Sequence, residues 1–180
     1  MTFRTAVTTW LVLASTACGS PTTPIVLEAL PLQSGEYSMV VSSLAPHPVV
    51  SLSTCQGIPQ DLAFEFPVTL QPSGLTWLGT IRGSSGLETG KIVLEARPAT
   101  SAPTFSGVLS GSAVVILADS YTRVISFGNE QVRVSGSLAT SGLSATGTLS
   151  GLMSALWSTP VLPLNACAVG QAALTLTRVQ

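Results

Sequence analysis

The chain has 180 residues, of which 8% are charged, and its formal net charge at neutral pH is −1. Globular domains usually carry about 25% charged residues, so Ser, Thr and Gly must keep this surface polar. The seven Lys and Arg residues form no basic cluster that could neutralise phosphates, which argues against a nucleic-acid partner.

Residues 1–17 predict a secretory signal peptide. Arg4 is the one positive charge ahead of the apolar stretch 6–14, and Ser15, Thr16 and Ala17 are the small residues that a signal peptidase needs. The apolar stretch is too short to span a bilayer permanently. We therefore expect the protein to be exported.

The junction after this leader is Cys18 followed by Gly-Ser-Pro-Thr-Thr-Pro. It resembles the lipobox of bacterial lipoproteins, in which the cysteine is diacylated and becomes the mature N-terminus, although Ser15 stands where that motif usually has Leu. The resemblance implies that residues 18–34 are a lipidated flexible tether. Because Gly19 is not the Asp that retains some lipoproteins in the inner membrane, it also implies anchorage to the outer membrane or cell surface. The alternative is an ordinary cleaved signal with a chance cysteine.

From Gly35 onward, apolar and polar residues alternate with a period of two, which is typical of β-strands with one buried face. The alternating runs lie at 37–41, 62–70, 75–81, 90–96, 107–115, 121–127, 132–138, 143–149, 153–157 and 172–176. Turn signals between them are Pro72-Ser73-Gly74, Ser84-Ser85-Gly86, Gly128-Asn129 and Ser141-Gly142. The pattern predicts one all-β domain, residues 35–180. We expect a single antiparallel up-and-down meander of about 8–10 strands that closes into a barrel or, alternatively, folds as a β-sandwich.

The three cysteines fit this picture. If the number of strands is even, the first strand pairs with the last one, and the long loop containing Cys55 lies beside Cys167. We predict a disulfide between them, which the chain-entropy description values at ~4–5 kcal/mol for so long a loop. An exported protein is in an oxidising compartment, and lipidation of Cys18 removes the odd thiol. Two free thiols are the alternative.

Tyr37 and Arg178 have the parity of the apolar faces of the first and last strands. We expect the guanidinium to lie over the aromatic ring at the floor of the barrel, a contact worth roughly 0.5–2 kcal/mol. The pattern Gly35-Glu36-Tyr37 with Arg178 resembles lipocalins, which have Gly-x-Trp on the first strand and a basic residue on the last. Here Tyr replaces Trp, and no C-terminal helix follows. The resemblance implies a lipocalin-like barrel whose mouth is covered by the long loop 45–61.

An inward aromatic cluster is the candidate ligand pocket: Met39, Phe64, Phe66 and Trp77. Glycines on the same face, in 107–111 and 147–151, either empty the interior for a ligand or let the strands coil around a filled one. The first alternative predicts a lipoprotein that binds or carries a small apolar molecule, which we take as the main hypothesis. The second predicts a non-enzymatic structural or interaction lipoprotein of the cell envelope, with a solid-packed barrel.

The sequence gives little support for catalysis. His47 is the only histidine and stands between two prolines, which is typical of a solvated loop residue. No Gly-x-Ser-x-Gly elbow is present, and one histidine cannot build a usual zinc site. The carboxylates, including Asp61 and Glu65, are scattered. We therefore predict no enzyme activity, cofactor or metal. An integral outer-membrane barrel is disfavoured because the outward positions are mostly Ser and Thr.

Overall fold

The structure is a computed structural model that describes residues 32–50, 58–83, 86–97, 104–116, 122–139, 141–158 and 164–179. Within these ranges the chain forms eight β-strands. They are β1 (Gly35–Pro46), β2 (Phe64–Ser73), β3 (Thr76–Arg82), β4 (Glu88–Arg97), β5 (Thr104–Ile116), β6 (Thr122–Leu138), β7 (Ser144–Trp157) and β8 (Asn165–Arg178). No helix in the described part of the chain is long and apolar enough to cross a membrane.

Each strand pairs antiparallel with the next, and β1 also pairs with β8, so the sheet closes on itself. At the closure Tyr37 is opposite Arg178 and Val41 is opposite Leu174. The predicted up-and-down barrel is therefore confirmed, and the β-sandwich alternative is wrong. Closure pairs the first strand with the last and so removes the two free edges of an open sheet. An eight-stranded meander of this kind is also the architecture of lipocalins.

The alternation in the sequence sets which side chains lie inside. On β2, Phe64, Phe66, Val68 and Leu70 are buried, whereas Glu65 and the other residues between them face outward. Successive side chains of a strand point to opposite faces, so this parity fills the barrel with apolar groups. No polar or charged side chain is buried among the residues that the structure describes.

The barrel has fewer strands than the largest number expected, because β6 absorbs a predicted turn. Leu109 pairs with Val132 and Gly111 pairs with Gly128. The chain therefore advances four residues along β6 where it advances only two along β5. Gly128 (φ +64°) thus marks a bulge, and the two predicted runs 121–127 and 132–138 belong to one strand.

The same happens in β7, where the run 153–157 continues the run 143–149. Ser150 pairs with Gln171 and Met153 pairs with Val169. The chain therefore advances three residues along β7 where it advances only two along β8. Gly151, in this bulge, has φ +136°. Bulges of this kind bend a strand and increase its twist, which a barrel wall requires.

The two ends of the barrel differ in their connections. The end where β1 begins and β8 finishes, with the β2–β3 and β6–β7 turns, is called the floor. The opposite end, with the long connection between β1 and β2 and the β3–β4 turn, is called the mouth. Any segment that precedes β1 therefore leaves the barrel from the floor.

Candidate functional site

The predicted pocket residues come together inside the barrel. Met39 on β1 is opposite Phe66 on β2, and the ring of Phe66 meets that of Phe127 edge-on, with centroids 6.4 Å apart and an interplanar angle of 66°. Phe64 lies nearer the mouth and Trp77, on β3, nearer the floor. All four predicted residues belong to the single core cluster.

These side chains are packed against one another. Met39 and Phe64 have no accessible surface, and Phe66 and Trp77 retain 2% and 6%. A water-sized sphere therefore touches neither Met39 nor Phe64, from outside or from an enclosed void. In a protein interior of ordinary density, such contacts leave little room for a further molecule.

The interior glycines are close to side chains of neighbouring strands. A Cβ at Gly147 would lie 3.2 Å from Cζ of Phe105, and one at Gly136 would lie 2.9 Å from the same atom. At Gly79, a Cβ would collide with Ile92 and Leu70. The space that these glycines leave is thus occupied by a ring or by aliphatic branches.

At the floor, Tyr37 and Arg178 both bind Gln33, which precedes β1. The Tyr37 hydroxyl donates to the Gln33 carbonyl at 2.7 Å, and Nη1 of Arg178 donates to Oε1 of Gln33. Nη2 of Arg178 donates to the Ser34 carbonyl at 3.3 Å. The predicted pair is therefore adjacent, and its hydrogen bonds hold the segment that leads into the barrel.

The backbone conformation at Gly35 explains why the Gly-x-Tyr pattern begins with glycine. Its φ is +144°, which side chains rarely adopt, and a Cβ there would lie 3.3 Å from Nε of Arg178. Leu32, three residues earlier, is 7% exposed and belongs to the core cluster. The docked part of the chain therefore starts within residues 32–34, which the sequence assigned to the tether.

The Tyr37 phenol is in an environment that resists ionisation. Burial raises the pKa of Tyr37 above its ordinary value, while the hydrogen bond with the Gln33 backbone and the positive charge of Arg178 act in the opposite direction. Desolvation disfavours the charged phenolate. The hydroxyl is therefore a neutral hydrogen-bond donor at physiological pH.

The mouth has an arginine contact that the sequence analysis missed. Nη1 of Arg123, at the start of β6, donates to the carbonyl of Ala63 at 2.8 Å, just before β2. These two strands are not neighbours in the barrel, so the bond spans the mouth. Leu62 is buried beside it and Ile58 packs on the core. Arg123 alternates in step with the inward-facing Ile125 and Phe127. This spacing in the sequence could have indicated that its side chain starts from the inner face of β6.

The cysteines are only partly described. Cys167 is fully buried near the start of β8, at the mouth. Cys18 and Cys55 lie outside the described residues. The Cys55–Cys167 disulfide and the lipidation of Cys18 therefore stay predictions, as does the signal peptide.

The other polar residues considered from the sequence have structural partners. Nδ1 of His47 accepts hydrogen bonds from the backbone N–H groups of Val49 and Val50, at 3.2 and 3.1 Å. Glu65 accepts a hydrogen bond from Ser38 at 2.6 Å on the outer wall, and Asp61 is exposed. Among the described residues, no three His, Cys, Asp or Glu side chains are grouped so that they could hold a metal ion.

Grooves are present on the outside of the barrel wall. One of about 320 Å³ runs across β2, β3 and β4 beside Thr69, Leu78 and Arg82. Another of about 480 Å³ lies next to Glu88, Lys91 and Gly111. Both are open to solvent and mix polar with apolar groups.

Comparison with known proteins adds no relative. No protein-family model matches the chain, and neither curated proteins nor solved structures gave a match. The class of molecule is therefore defined by its architecture alone, a closed eight-stranded antiparallel β-barrel with an apolar interior.

Proposed function

We propose that this protein is a non-enzymatic lipoprotein of the cell envelope, tethered through Cys18, whose solid-packed barrel contacts envelope partners with its outer surface. This is the second of the two functions considered from the sequence. The observation that carries it is the absence of accessible surface on Met39 and Phe64, at the centre of the expected pocket. A carrier needs room there of a few hundred Å³.

Contacts across both ends of the barrel support the same proposal. Arg178 and Leu32 lie across the floor, and Arg123 and Leu62 lie across the mouth. A ligand that entered between these side chains would have to displace one of these contacts. The outer wall, by contrast, could meet a partner without such a change.

Two features support the tether. The leader and Cys18 have the lipobox-like pattern, and the chain joins the barrel at the floor through residues that are firmly held there. A docked segment preceded by a Pro-, Ser- and Thr-rich one suits a domain that is linked to a membrane at its floor. The outer membrane or the cell surface is the proposed location.

The carrier of a small apolar ligand remains a second candidate because the core contains only apolar side chains among the described residues. Such an interior would accept an apolar molecule if the packing opened. A disulfide between Cys55 and Cys167, also proposed here, would hold the long loop over the mouth and oppose that opening.

Native mass spectrometry of the full chain, expressed with its own leader and extracted in mild detergent, tests both parts of the proposal. We expect the mass of residues 18–180 plus a diacylglyceryl adduct, and no retained small molecule. The Cys18→Ser variant is the control and should lose the adduct. A retained apolar molecule at one per chain would overturn the solid-packed barrel, and an unmodified Cys18 would overturn the tether.

A further inference from the structure

The floor of the barrel has exposed apolar residues close to where the tether joins. Leu75, in the β2–β3 turn, is 49% exposed, Leu143, before β7, is 36% exposed, and Val179, after β8, is 56% exposed. The backbone also ties this end together. The Arg178 amide donates to the Leu143 carbonyl at 2.8 Å, and the Val179 amide donates to the Glu36 carbonyl at 2.9 Å.

We propose that the protein stands floor-down on a lipid bilayer, with Leu75, Leu143 and Val179 among the lipid headgroups. This rests on the lipid tether proposed above. It goes further because a tethered domain could otherwise hang free or lie on its side. It also assigns the mouth as the end that faces outward.

The length of the tether favours this arrangement. Thirteen residues separate Cys18 from Leu32, which is held in the core, so a fully extended tether reaches about 45–50 Å at most. A covalent link of that length keeps the floor at high local concentration beside the bilayer. The mouth exposes apolar side chains as well, among them Leu87 and Leu164. The position of the covalent anchor, which joins the barrel at the floor, is therefore what presents the floor to lipid.

Two charged side chains near the floor are hydrogen-bonded, whereas Glu95, opposite Thr76, is exposed on the outer wall. The Arg178 guanidinium is occupied by Gln33 and Ser34. The Glu36 carboxylate accepts a hydrogen bond from Thr69 at 2.7 Å on the outer wall. Apolar side chains beside charged groups that already have hydrogen-bond partners suit the interfacial region of a bilayer, where partial burial of apolar groups is favourable.

Two tryptophans report on the two ends. Trp77 is two residues from Leu75, about 7 Å along a strand, and Trp157 finishes β7 at the mouth. The remaining tryptophan, Trp10, belongs to the predicted leader. Variants Trp157→Phe and Trp77→Phe therefore leave one reporter each in the mature chain.

The test uses the lipidated full chain in phosphatidylcholine vesicles that contain a headgroup-nitroxide lipid. We expect Trp77 to lose most of its emission and Trp157 to keep nearly all of it. Leu75→Asp combined with Leu143→Asp should remove the difference, whereas Leu87→Asp, which changes a 69% exposed leucine at the mouth, should preserve it. Equal quenching of both tryptophans, or stronger quenching of Trp157, would overturn the floor-down arrangement.

A second readout needs no substitution. Hydrogen exchange on vesicles should slow at Gly74–Thr76 and Gly142–Ser144 relative to detergent, and stay unchanged at Gly86–Glu88. Flotation separates the two proposals, since a chain that does not float with the vesicles overturns the tether and this inference with it. A chain that floats without slowed exchange at the floor overturns the floor-down arrangement alone.

Discussion

Three residues at the floor, Gln33, Tyr37 and Arg178, connect the chain ahead of the barrel to its first and last strands. Tyr37 binds the backbone of Gln33, and Arg178 binds its side chain. Because β1 and β8 are neighbours only through ring closure, this contact also holds the closing pair. These hydrogen bonds therefore help to keep the barrel closed.

Tyr37→Phe should change the alkaline stability of the fold. Burial raises the pKa of Tyr37 in the folded state, so its contribution is complete below the unfolded value of about 10 and is lost as pH rises through the folded value. We expect the free energy of unfolding of the wild type to fall above about pH 10, and the variant to fall less steeply. Urea titrations between pH 8 and pH 11 measure this.

Tyr121→Phe is the control for that experiment, because it removes the other tyrosine. The loss of slope assigned to Tyr37 is the difference between the two variants. Identical slopes for the wild type and the Tyr37 variant would contradict the assigned environment of the phenol.

At the residue scale, the sequence predicted that Tyr37 and Arg178 lie together at the floor, which their register confirms. The guanidinium lying over the ring stays a prediction, and their hydrogen bonds to Gln33 were not predicted. Parity and an even number of strands were enough to make them opposite each other. Gln33 was missed because it lies in a Pro- and Ser-rich stretch without periodicity, and Arg123 was missed although its parity was available. Hydrogen-bond partners of this kind depend on how a loop crosses a barrel end, which alternation does not encode.

At the scale of elements, glycines set how closely the strands approach. A Cβ at Gly147 would lie 2.6 Å from the carbonyl oxygen of Ser135 on the adjacent strand and 3.2 Å from the ring of Phe105. We expect Gly147→Ala to lower the free energy of unfolding by about 1–3 kcal/mol through overpacking. Urea unfolding followed by tryptophan fluorescence measures the loss.

Ser150→Ala is the matched control, on the exposed face of the same strand. Its effect should stay within about 0.5 kcal/mol. Equal stability of the two alanine variants would contradict the claim that β6 and β7 lie too close together at Gly147 to admit a Cβ.

The strand count could not be predicted from the sequence for a related reason. Gly128 followed by Asn129 reads equally well as a hairpin turn or as a bulge within one strand. The outcome depended on whether residues on either side continued to pair with β5, and they do. Similarly, whether Gly136 and Gly147 leave a cavity depended on where the Phe105 ring lies, which cross-strand register decides.

At the scale of the whole molecule, the predicted disulfide would join the long loop at the mouth to the last strand. Cys55→Ser should lower the free energy of unfolding of the oxidised protein, by about 4–5 kcal/mol at most. The same loss should follow when the wild type is reduced with dithiothreitol. A wild type whose stability does not respond to the reductant would contradict the bridge.

The proposed function requires a barrel interior that is filled by its own side chains. Phe105→Ala should remove the ring beside Gly136 and Gly147, cost about 3–5 kcal/mol, and leave an apolar cavity of the kind that binds xenon. The measurement is xenon titration of the wild type and this variant, followed by methyl NMR shifts. We predict shifts around position 105 in the variant and none inside the wild-type barrel. Saturable shifts at the Met39 methyl of the wild type would contradict the account.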